Sequence, residues 1–293
     1  MPPAALRPEA LPAGTHLGQV RIERLIARGT SGVIYAAIDE ASDSAVAVKV
    51  LHAVPPGDDP QAADEARARF LHEAERATRL LHPGIVRLYG GGSAQGLVYV
   101  VMELAHGTEL TRYTQASHLL PEALALDIAA RLAEALAHAH REGMVHRDVK
   151  PANVMFDPAT GSVKLADFGL ARSVDAEATR SGVLLGSPAY MAPELLAGAR
   201  ADGGSDLYAL GVLLFELLTG RLPFEGDSMG SLLRAMATQA PHSVRALRPD
   251  LPEAQAAALD AVLAPVRTRA PGERLSDGDA WARALREVAR SVF

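Results

Sequence analysis

The segment His146-Arg147-Asp148-Val149-Lys150-Pro151-Ala152-Asn153, with Asp167-Phe168-Gly169 a short distance downstream, decides the interpretation of this 293-residue chain. Phosphoryl transfer needs a carboxylate that orients a hydroxyl, a cation that neutralises the moving phosphate, and oxygen ligands for a divalent metal ion. The two segments match the patterns H-R-D-x-x-x-x-N and D-F-G, which supply all three kinds of group. The side chains concerned are Asp148, Lys150, Asn153 and Asp167.

The bulk composition excludes several other classes of protein. A net charge of −6 provides no basic surface for nucleic acid. The absence of cysteine excludes disulfides, thiol catalysis and zinc sites built from cysteine, and it is compatible with a reducing compartment. We therefore expect a cytoplasmic protein with no nucleic-acid partner.

Neither a membrane span nor a signal peptide is predicted. The apolar stretch 207–215 is far shorter than the ~20 residues that a span requires. The proline-rich first residues lack the apolar centre of a signal peptide, so residues 1–13 are predicted to be a flexible leader.

The periodicity of apolar residues divides the remaining chain into two parts. Short runs rich in β-branched residues dominate the first part, with one helix among them, whereas the second part has helical spacing throughout. Strands are predicted at 20–26, 33–38, 45–50, 85–89 and 97–102, and helices at about 61–81, 121–142, 205–219, 228–239, 253–266 and 276–292. This pattern predicts an α+β domain over 14–293, with a small β-rich lobe (14–102), a hinge (103–108) and a larger helical lobe (109–293).

A glycine-containing segment lies between the first two predicted strands. Gly29 and Gly32 remove side chains where backbone amides could approach phosphate oxygens. Taken alone, this segment fits an ordinary hairpin turn equally well.

A lysine interrupts an otherwise apolar strand. Burial of an unpaired ammonium is costly, so Lys49 needs a partner, and Glu73 on the following helix is the natural candidate. The alternative is a lysine that extends from the end of its strand to solvent.

Together with Ala192-Pro193-Glu194, these segments resemble in order and spacing the signature set of protein kinases, over roughly residues 17 to 290. The sequence around them is similar to that of bacterial eukaryotic-like (Hanks-type) serine/threonine protein kinases. The resemblance implies a bilobal protein-kinase fold, with ATP and Mg²⁺ as cofactors and Mn²⁺ as a substitute. It implies protein substrates with Ser or Thr acceptors, autophosphorylation, and a homodimer as one form that relatives adopt.

The resemblance also assigns roles to the site residues. Asp148 orients the substrate hydroxyl and accepts its proton, Lys150 stabilises the transferring γ-phosphate, and Asn153 and Asp167 hold Mg²⁺. It implies nucleotide contacts around the glycine-rich loop at Ile26, Ala27, Arg28, Gly29, Thr30, Ser31 and Gly32. Lys49, paired with Glu73, is expected at the α- and β-phosphates. Around adenine it implies Ile34, Ala47 and Met155, the backbone of Glu103 and Ala105 at the polar edge, and Met102 as gatekeeper, with Glu109 near the ribose.

Regulation is implied by Arg147 and by the activation segment, 167–194. An arginine beside the catalytic aspartate can pair with a phosphate installed on that segment. Thr179 and Ser181 stand where related kinases autophosphorylate, although they also fit ordinary loop hydroxyls. Lys150 is typical of serine/threonine rather than tyrosine specificity.

Further features are assigned structural roles. The resemblance implies that Asp206 braces the catalytic loop and that Glu194 pairs with Arg274. We expect Trp281 in the core, and His138 and His140 on different faces of a helix rather than in a metal cluster.

Three departures from the family pattern leave an alternative open. Ala27 replaces the first glycine of the loop, Ala270 replaces an aspartate, and Ala77 is small at a position in the regulatory spine. The alternative is a pseudokinase or nucleotide-binding scaffold, although Lys49 and Asp148 are both present. A small-molecule kinase related to aminoglycoside phosphotransferases would share the catalytic Asp and Asn but not the A-P-E segment.

Overall fold

The computed structural model describes residues 7–29, 31–52, 60–168, 188–263, 266 and 276–292. These residues divide into two compact units. The first unit takes in the described residues up to Leu81 together with Val86–Ala105, and the second takes in His82–Ile85, His106–Phe168 and the described residues from Pro188 onward.

The first unit is built on a six-stranded antiparallel sheet in the order β1-β2-β3-β4-β6-β5. A single long helix, α1, accompanies the sheet in the described part of this unit. The elements are β1 His16–Leu17, β2 Val20–Arg28, β3 Gly32–Asp39, β4 Ser44–Leu51, α1 Pro60–Ala77, β5 Leu88–Ala94 and β6 Leu97–Glu103.

The two faces of this sheet are chemically different. Val33, Tyr35 and Val48 belong to a buried apolar cluster on one face. Side chains alternate along a strand, and residues directly opposite one another share a face. Ile34 and Lys49, which pair across β3 and β4, therefore lie together on the other face.

In the first unit, one helix and one strand differ clearly from the sequence prediction. The helix predicted to reach residue 81 ends at Ala77, because the next amides turn back onto carbonyls three residues earlier, as in Arg79 N–H to Arg76 O at 3.2 Å. The strand predicted at 85–89 begins only at Leu88, and Ile85 forms an isolated parallel bridge to Leu165 in the second unit.

The second unit is mainly helical. Its long helices are α2 Glu122–Arg141, α4 Gly203–Thr219 and α8 Gly278–Val292, and α2 packs against the other two. The shorter elements are β7 Thr108–Glu109, β8 Val154–Asp157, β9 Ser162–Leu165, α3 Pro193–Leu196, α5 Met229–Thr238, α6 Val244–Leu247 and α7 Glu253–Val262.

Helix α4 forms the centre of the second unit. Most of its side chains are buried around the whole circumference, as expected for an apolar helix enclosed by neighbours. Asp202 and Ser205 form a capping box at its start, and Gly220, with φ of 71°, ends it in the left-handed region. These signals fix the start of the helix and so the position of Asp206 in its first turn.

Two further expectations can be compared with the structure. Trp281 is buried as expected, and its indole N–H donates to the carbonyl of Val262 at 2.8 Å. In the described part of the predicted leader, Pro8–Ala10 forms a 3₁₀ turn in which Pro8 is buried, and Leu11 belongs to the apolar cluster of the sheet, so these residues are not the flexible chain expected.

In the part of the chain that the structure describes, no helix is both long enough and apolar enough to cross a membrane.

Candidate active site

The carboxylate of Asp148 is held by two neighbouring side chains of the second unit. Its Oδ2 accepts a hydrogen bond from Lys150 Nζ at 2.7 Å and another from Asn153 Nδ2 at 2.9 Å. Hydrogen bonds from a charged donor to a carboxylate are short and strong, so this carboxylate is held in a fixed orientation. The predicted grouping of these three side chains is therefore present in the structure.

Asn153 presents an oxygen that can bind a cation. Its amide nitrogen donates twice, to the side chain and to the main-chain oxygen of Asp148, the latter at 2.7 Å. Both partners are acceptors, which fixes the orientation of the amide. Its Oδ1 makes no hydrogen bond within the described residues, and an amide oxygen is a suitable ligand for Mg²⁺.

The hairpin β8–β9 brings Asp167 to the same end of the sheet as Asn153. Val154 pairs with Leu165, and the Ala166 amide donates to the Asn153 carbonyl at 2.8 Å. Asp167 follows immediately and adopts a left-handed φ of 65°, which is uncommon for any residue other than glycine. Strand register thus places the backbones of two predicted metal ligands, Asn153 and Asp167, at the same end of the hairpin.

His146 connects the two signature segments. Its Nε2 lies 2.7 Å from the Ala166 carbonyl and its Nδ1 lies 3.2 Å from the Asp148 amide. A carbonyl only accepts and an amide only donates, so the ring is the neutral tautomer with the proton on Nε2. The ring also packs edge-on against Phe168, with centroids 4.5 Å apart.

Asp206 braces the backbone on which Asp148 stands, as the resemblance implied. Its two carboxylate oxygens accept the amides of His146 and Arg147, each at 2.8 Å, and Oδ2 also accepts His140 Nε2 at 2.8 Å. Only 1% of the Asp206 residue is exposed. The brace accommodates the left-handed φ of 72° at Arg147, one residue before Asp148.

Lys49 and three of the predicted nucleotide contacts, Ile34, Ala47 and Met102, share a face of the first unit's sheet. Lys49 is 4% exposed and lies opposite Ile34 on β3, and Ala47 lies opposite Met102 on β6. Glu73 is half-buried on α1. The pairing of Lys49 with Glu73 stays a prediction.

At the glycine-rich turn, the start of β3 lies very close to the end of β4. The Gly29 amide donates to the Gly32 carbonyl at 2.9 Å. A Cβ on Gly32 would lie 2.4 Å from the carbonyl oxygen of Val50, so only glycine fits that position. Ala27 pairs with Ile34 as an ordinary strand residue, which explains why a methyl group is tolerated there.

Three other predicted contacts lie within the described strands. Ile26 is the extra residue of a β-bulge between Leu25 and Ala27, and it is 41% exposed. The Glu103 amide donates to the Arg87 carbonyl at 2.8 Å, so the carbonyl is the group of that residue suited to adenine. Glu109 lies opposite Met155 where β7 pairs with β8.

Several predicted residues lie outside the described part of the chain. They are Thr30, Thr179, Ser181, Ala270 and Arg274.

A half-buried pair of acidic side chains near the A-P-E segment, Tyr190 and Glu216, was not predicted from the sequence. The Tyr190 hydroxyl donates to Glu216 Oε2 at 2.5 Å. Burial raises the pKa of Glu216, against the lowering effect of the hydrogen bond from Tyr190, and burial also raises the pKa of Tyr190. A glutamate within the long apolar run of α4 was the available signal.

Histidines do not form a metal cluster in the described residues. His140 instead binds Asp206, and His138 stacks on His82 with centroids 5.3 Å apart. Burial lowers the pKa of His82, as does the neighbouring His138.

Comparison with known proteins agrees with this geometry. The sequence profile of the family described as "Protein kinase domain" matches residues 20–284. Serine/threonine-protein kinase PrkC of Bacillus subtilis is 38% identical over 80% of this chain and 36% of that protein. Serine/threonine-protein kinase PknA of Mycobacterium tuberculosis is 40% identical over 75% of this chain and 50% of that protein. The chain thus spans half or less of the length of these relatives.

A solved structure shows the same fold. The crystal structure of Rad53 1-466 in complex with AMP-PNP superposes with a TM-score of 0.71, covering 90% of this chain and 64% of that one, at 24% identity.

Proposed function

This chain belongs to the protein kinase family, and we propose that it is an ATP-dependent serine/threonine protein kinase. It would transfer the γ-phosphate of ATP to serine or threonine hydroxyls of proteins. The curated relatives are named as serine/threonine kinases, and Lys150 follows the pattern of that specificity.

One observation carries this proposal: Asp148 Oδ2 is held between Lys150 Nζ at 2.7 Å and Asn153 Nδ2 at 2.9 Å. The remaining carboxylate oxygen is left to accept the proton of a substrate hydroxyl and to aim that hydroxyl at phosphorus. Lys150 Nζ is 2.7 Å from the same carboxylate, and its charge would stabilise the transferring phosphoryl group as that group gains negative charge. Positioning and electrostatics therefore account for the chemistry, without a covalent intermediate on the protein.

The residues present fit a divalent cation and a nucleotide. Asn153 Oδ1 and the Asp167 carboxylate would hold Mg²⁺, or Mn²⁺ in its place. The metal ion supplies charge neutralisation of the phosphate oxygens when bound. Lys49, buried on β4, would bind the α- and β-phosphates, and the glycine-rich turn would present its amides to them.

Regulation, assembly and location belong to the same proposal. Autophosphorylation at Thr179 or Ser181 would place a phosphate that Arg147 can bind. A homodimer and a cytoplasmic location are further proposals, as are the boundaries of one kinase domain over 14–293.

A catalytically inactive scaffold is not favoured. Such proteins generally lack part of the catalytic set, whereas Lys49, Glu73, Asp148, Asn153 and Asp167 are all present here.

The proposal is tested by incubating the purified chain with γ-labelled ATP, Mg²⁺ and casein, with EDTA as the control. We expect labelled phosphoserine and phosphothreonine in casein and in the chain itself, and none with EDTA. Nucleotide binding without transfer would support the scaffold instead. Label found only on tyrosine would contradict the proposed specificity.

A further inference from the structure

The N-terminal turn is fastened to the sheet on the face opposite Lys49. The Tyr35 hydroxyl donates to the Pro8 carbonyl at 2.6 Å and accepts the Leu11 amide at 3.2 Å. Tyr35 is 2% exposed and belongs to the apolar cluster together with Leu11. The segment Arg7–Leu11 is thus a fixed part of the first unit, and it brings Glu9 to the ends of two strands.

Glu9 contacts both strand ends that flank the glycine-rich turn. Its carbonyl accepts Arg28 Nη2, at the end of β2, at 2.9 Å. Its carboxylate Oε1 lies 3.2 Å from Nδ1 of His52, the residue after the end of β4. Glu9 therefore contacts a residue on each side of the glycine-rich turn, Arg28 and His52.

His52 holds the turn itself by two contacts. Its backbone amide donates to the Ser31 carbonyl at 3.3 Å, and its ring Nε2 lies 2.9 Å from the Gly29 carbonyl. The carbonyl and the Glu9 carboxylate are both acceptors, so the two ring contacts form together when each ring nitrogen carries a proton. The ring then bridges Glu9 and Gly29.

These contacts bear on the groups that would meet phosphate. In a trans peptide the N–H points opposite to its C=O, so a Ser31 carbonyl held by His52 turns the Gly32 amide away from β4. A glycine-containing turn has many accessible conformations, and ordering it on ligand binding costs free energy. Contacts that fix its carbonyls beforehand reduce that cost.

We propose that Glu9 and His52 are positioning residues for the glycine-rich loop, which they preorganise for the nucleotide triphosphate. This inference rests on the proposed function. The two residues would not touch the reacting atoms, so their removal should weaken nucleotide binding and leave the chemical step intact.

The test compares His52→Ala, His52→Gln and Glu9→Ala with the parent, in the full chain. Titration calorimetry with Mg²⁺ and a non-hydrolysable ATP analogue gives Kd, and steady-state assays give KM for ATP and kcat. For His52→Ala we expect Kd and KM to rise about three- to tenfold, the effect of one lost hydrogen bond, with kcat within twofold. His52→Gln keeps one side-chain donor for the Gly29 carbonyl and should recover part of the loss.

A second measurement does not depend on nucleotide. Amide hydrogen exchange of the peptide covering 28–33 should be faster in His52→Ala than in the parent without ligand. The double variant Glu9→Ala/His52→Ala should lose no more affinity than the larger single loss, because both residues act through one chain of contacts.

His16→Ala is the matched control. His16 Nε2 lies 3.2 Å from Glu40 Oε1, an exposed His–Glu pair of the same kind, and within the described residues this pair makes no hydrogen bond to the glycine-rich turn. It should leave Kd, KM and the exchange of 28–33 unchanged.

Unchanged exchange and unchanged Kd in His52→Ala would overturn the inference, as would a fall in kcat at constant KM. A parent that binds nucleotide but transfers no phosphate would contradict the proposed function alone. Differences between variants thus report on the loop contacts, whereas phosphate transfer by the parent reports on the proposed function.

Discussion

At the scale of single residues, the active site depends on groups whose hydrogen-bonding roles are fixed by their neighbours. His146 is held as one tautomer by a carbonyl on one side and an amide on the other. Asn153 is oriented by two acceptors on Asp148. The side chains proposed to meet substrate, phosphate or metal are therefore oriented partly by one another.

Asp206 is the clearest test of this arrangement. The change Asp206→Asn places an amide N–H₂ where the carboxylate now accepts hydrogen bonds from His140, His146 and Arg147. At least one buried donor then loses its acceptor, which should lower the free energy of unfolding by about 1–3 kcal/mol. Urea denaturation measures this loss.

The matched control is Asp250→Asn, because Asp250 also binds an arginine, Arg248, but its side chain is 61% exposed. Exposed pairs contribute about 0–1 kcal/mol, so this variant should stay close to the parent. Equal losses for both aspartates would contradict the account of Asp206.

The grouping of the three side chains of the catalytic segment was predictable from the sequence because it is local. Asp148, Lys150 and Asn153 lie within six residues of one another, so their grouping follows from the motif. The link between Glu9 and His52 joins positions 43 residues apart, and no local pattern predicts such a contact. The Tyr190–Glu216 pair was missed for the same reason, as it depends on how α4 packs.

At the scale of elements, one close approach between helices depends on a glycine whose role periodicity does not reveal. Helix α8 begins at Gly278, where it packs against α2. A Cβ there would lie 2.5 Å from the Ala133 carbonyl oxygen and 3.2 Å from the Ala137 Cβ. The sequence places the helix at 276–292, close to the observed Gly278–Val292, but gives no sign of this contact.

Gly278→Ala should therefore push α8 away from α2. Forcing an extra methyl group into a packed contact costs about 1–3 kcal/mol, and the midpoint of urea unfolding should fall accordingly. Gly230→Ala is the control, because the site is helical and nothing lies within 4 Å of the position that a Cβ would occupy there. That change should be neutral or stabilise by up to about 1 kcal/mol. A loss for Gly230→Ala equal to that for Gly278→Ala would contradict the contact.

At the scale of the whole molecule, the chain combines two compact units with different cores. The sheet of the first unit buries one apolar face and keeps Lys49 on the other, and the second unit encloses α4 on all sides. The division into a β-rich and a helical part was predictable, since β-branched runs and helical periodicity separate cleanly along the chain.

Partial burial of Glu216 should give the fold a characteristic pH dependence. The pKa of Glu216 is raised by burial, so the unfolded chain releases its proton at a lower pH than the folded chain. Its contribution to stability is therefore lost as pH rises from the ordinary value of 4.5 through the raised pKa. Glu216→Gln should remove this slope and leave the variant more stable than the parent at neutral pH, with the difference disappearing near pH 4.

Urea unfolding from pH 4 to pH 8 measures the effect. Tyr190→Phe removes the hydrogen bond that lowers the pKa of Glu216, so it should steepen the slope in the parent and have no such effect on Glu216→Gln. A parent and a Glu216→Gln variant that differ by a constant amount across this range would contradict the assignment.

The central claim is that Asp148, held by Lys150 and Asn153, acts on the substrate hydroxyl. The most direct measurement is the rate of phosphate transfer by Asp148→Asn beside its affinity for a non-hydrolysable ATP analogue. A general-base role contributes about 10²–10⁴-fold, so transfer should fall by at least that range while nucleotide affinity stays within about twofold of the parent. Transfer at a near-normal rate by Asp148→Asn would contradict the claim.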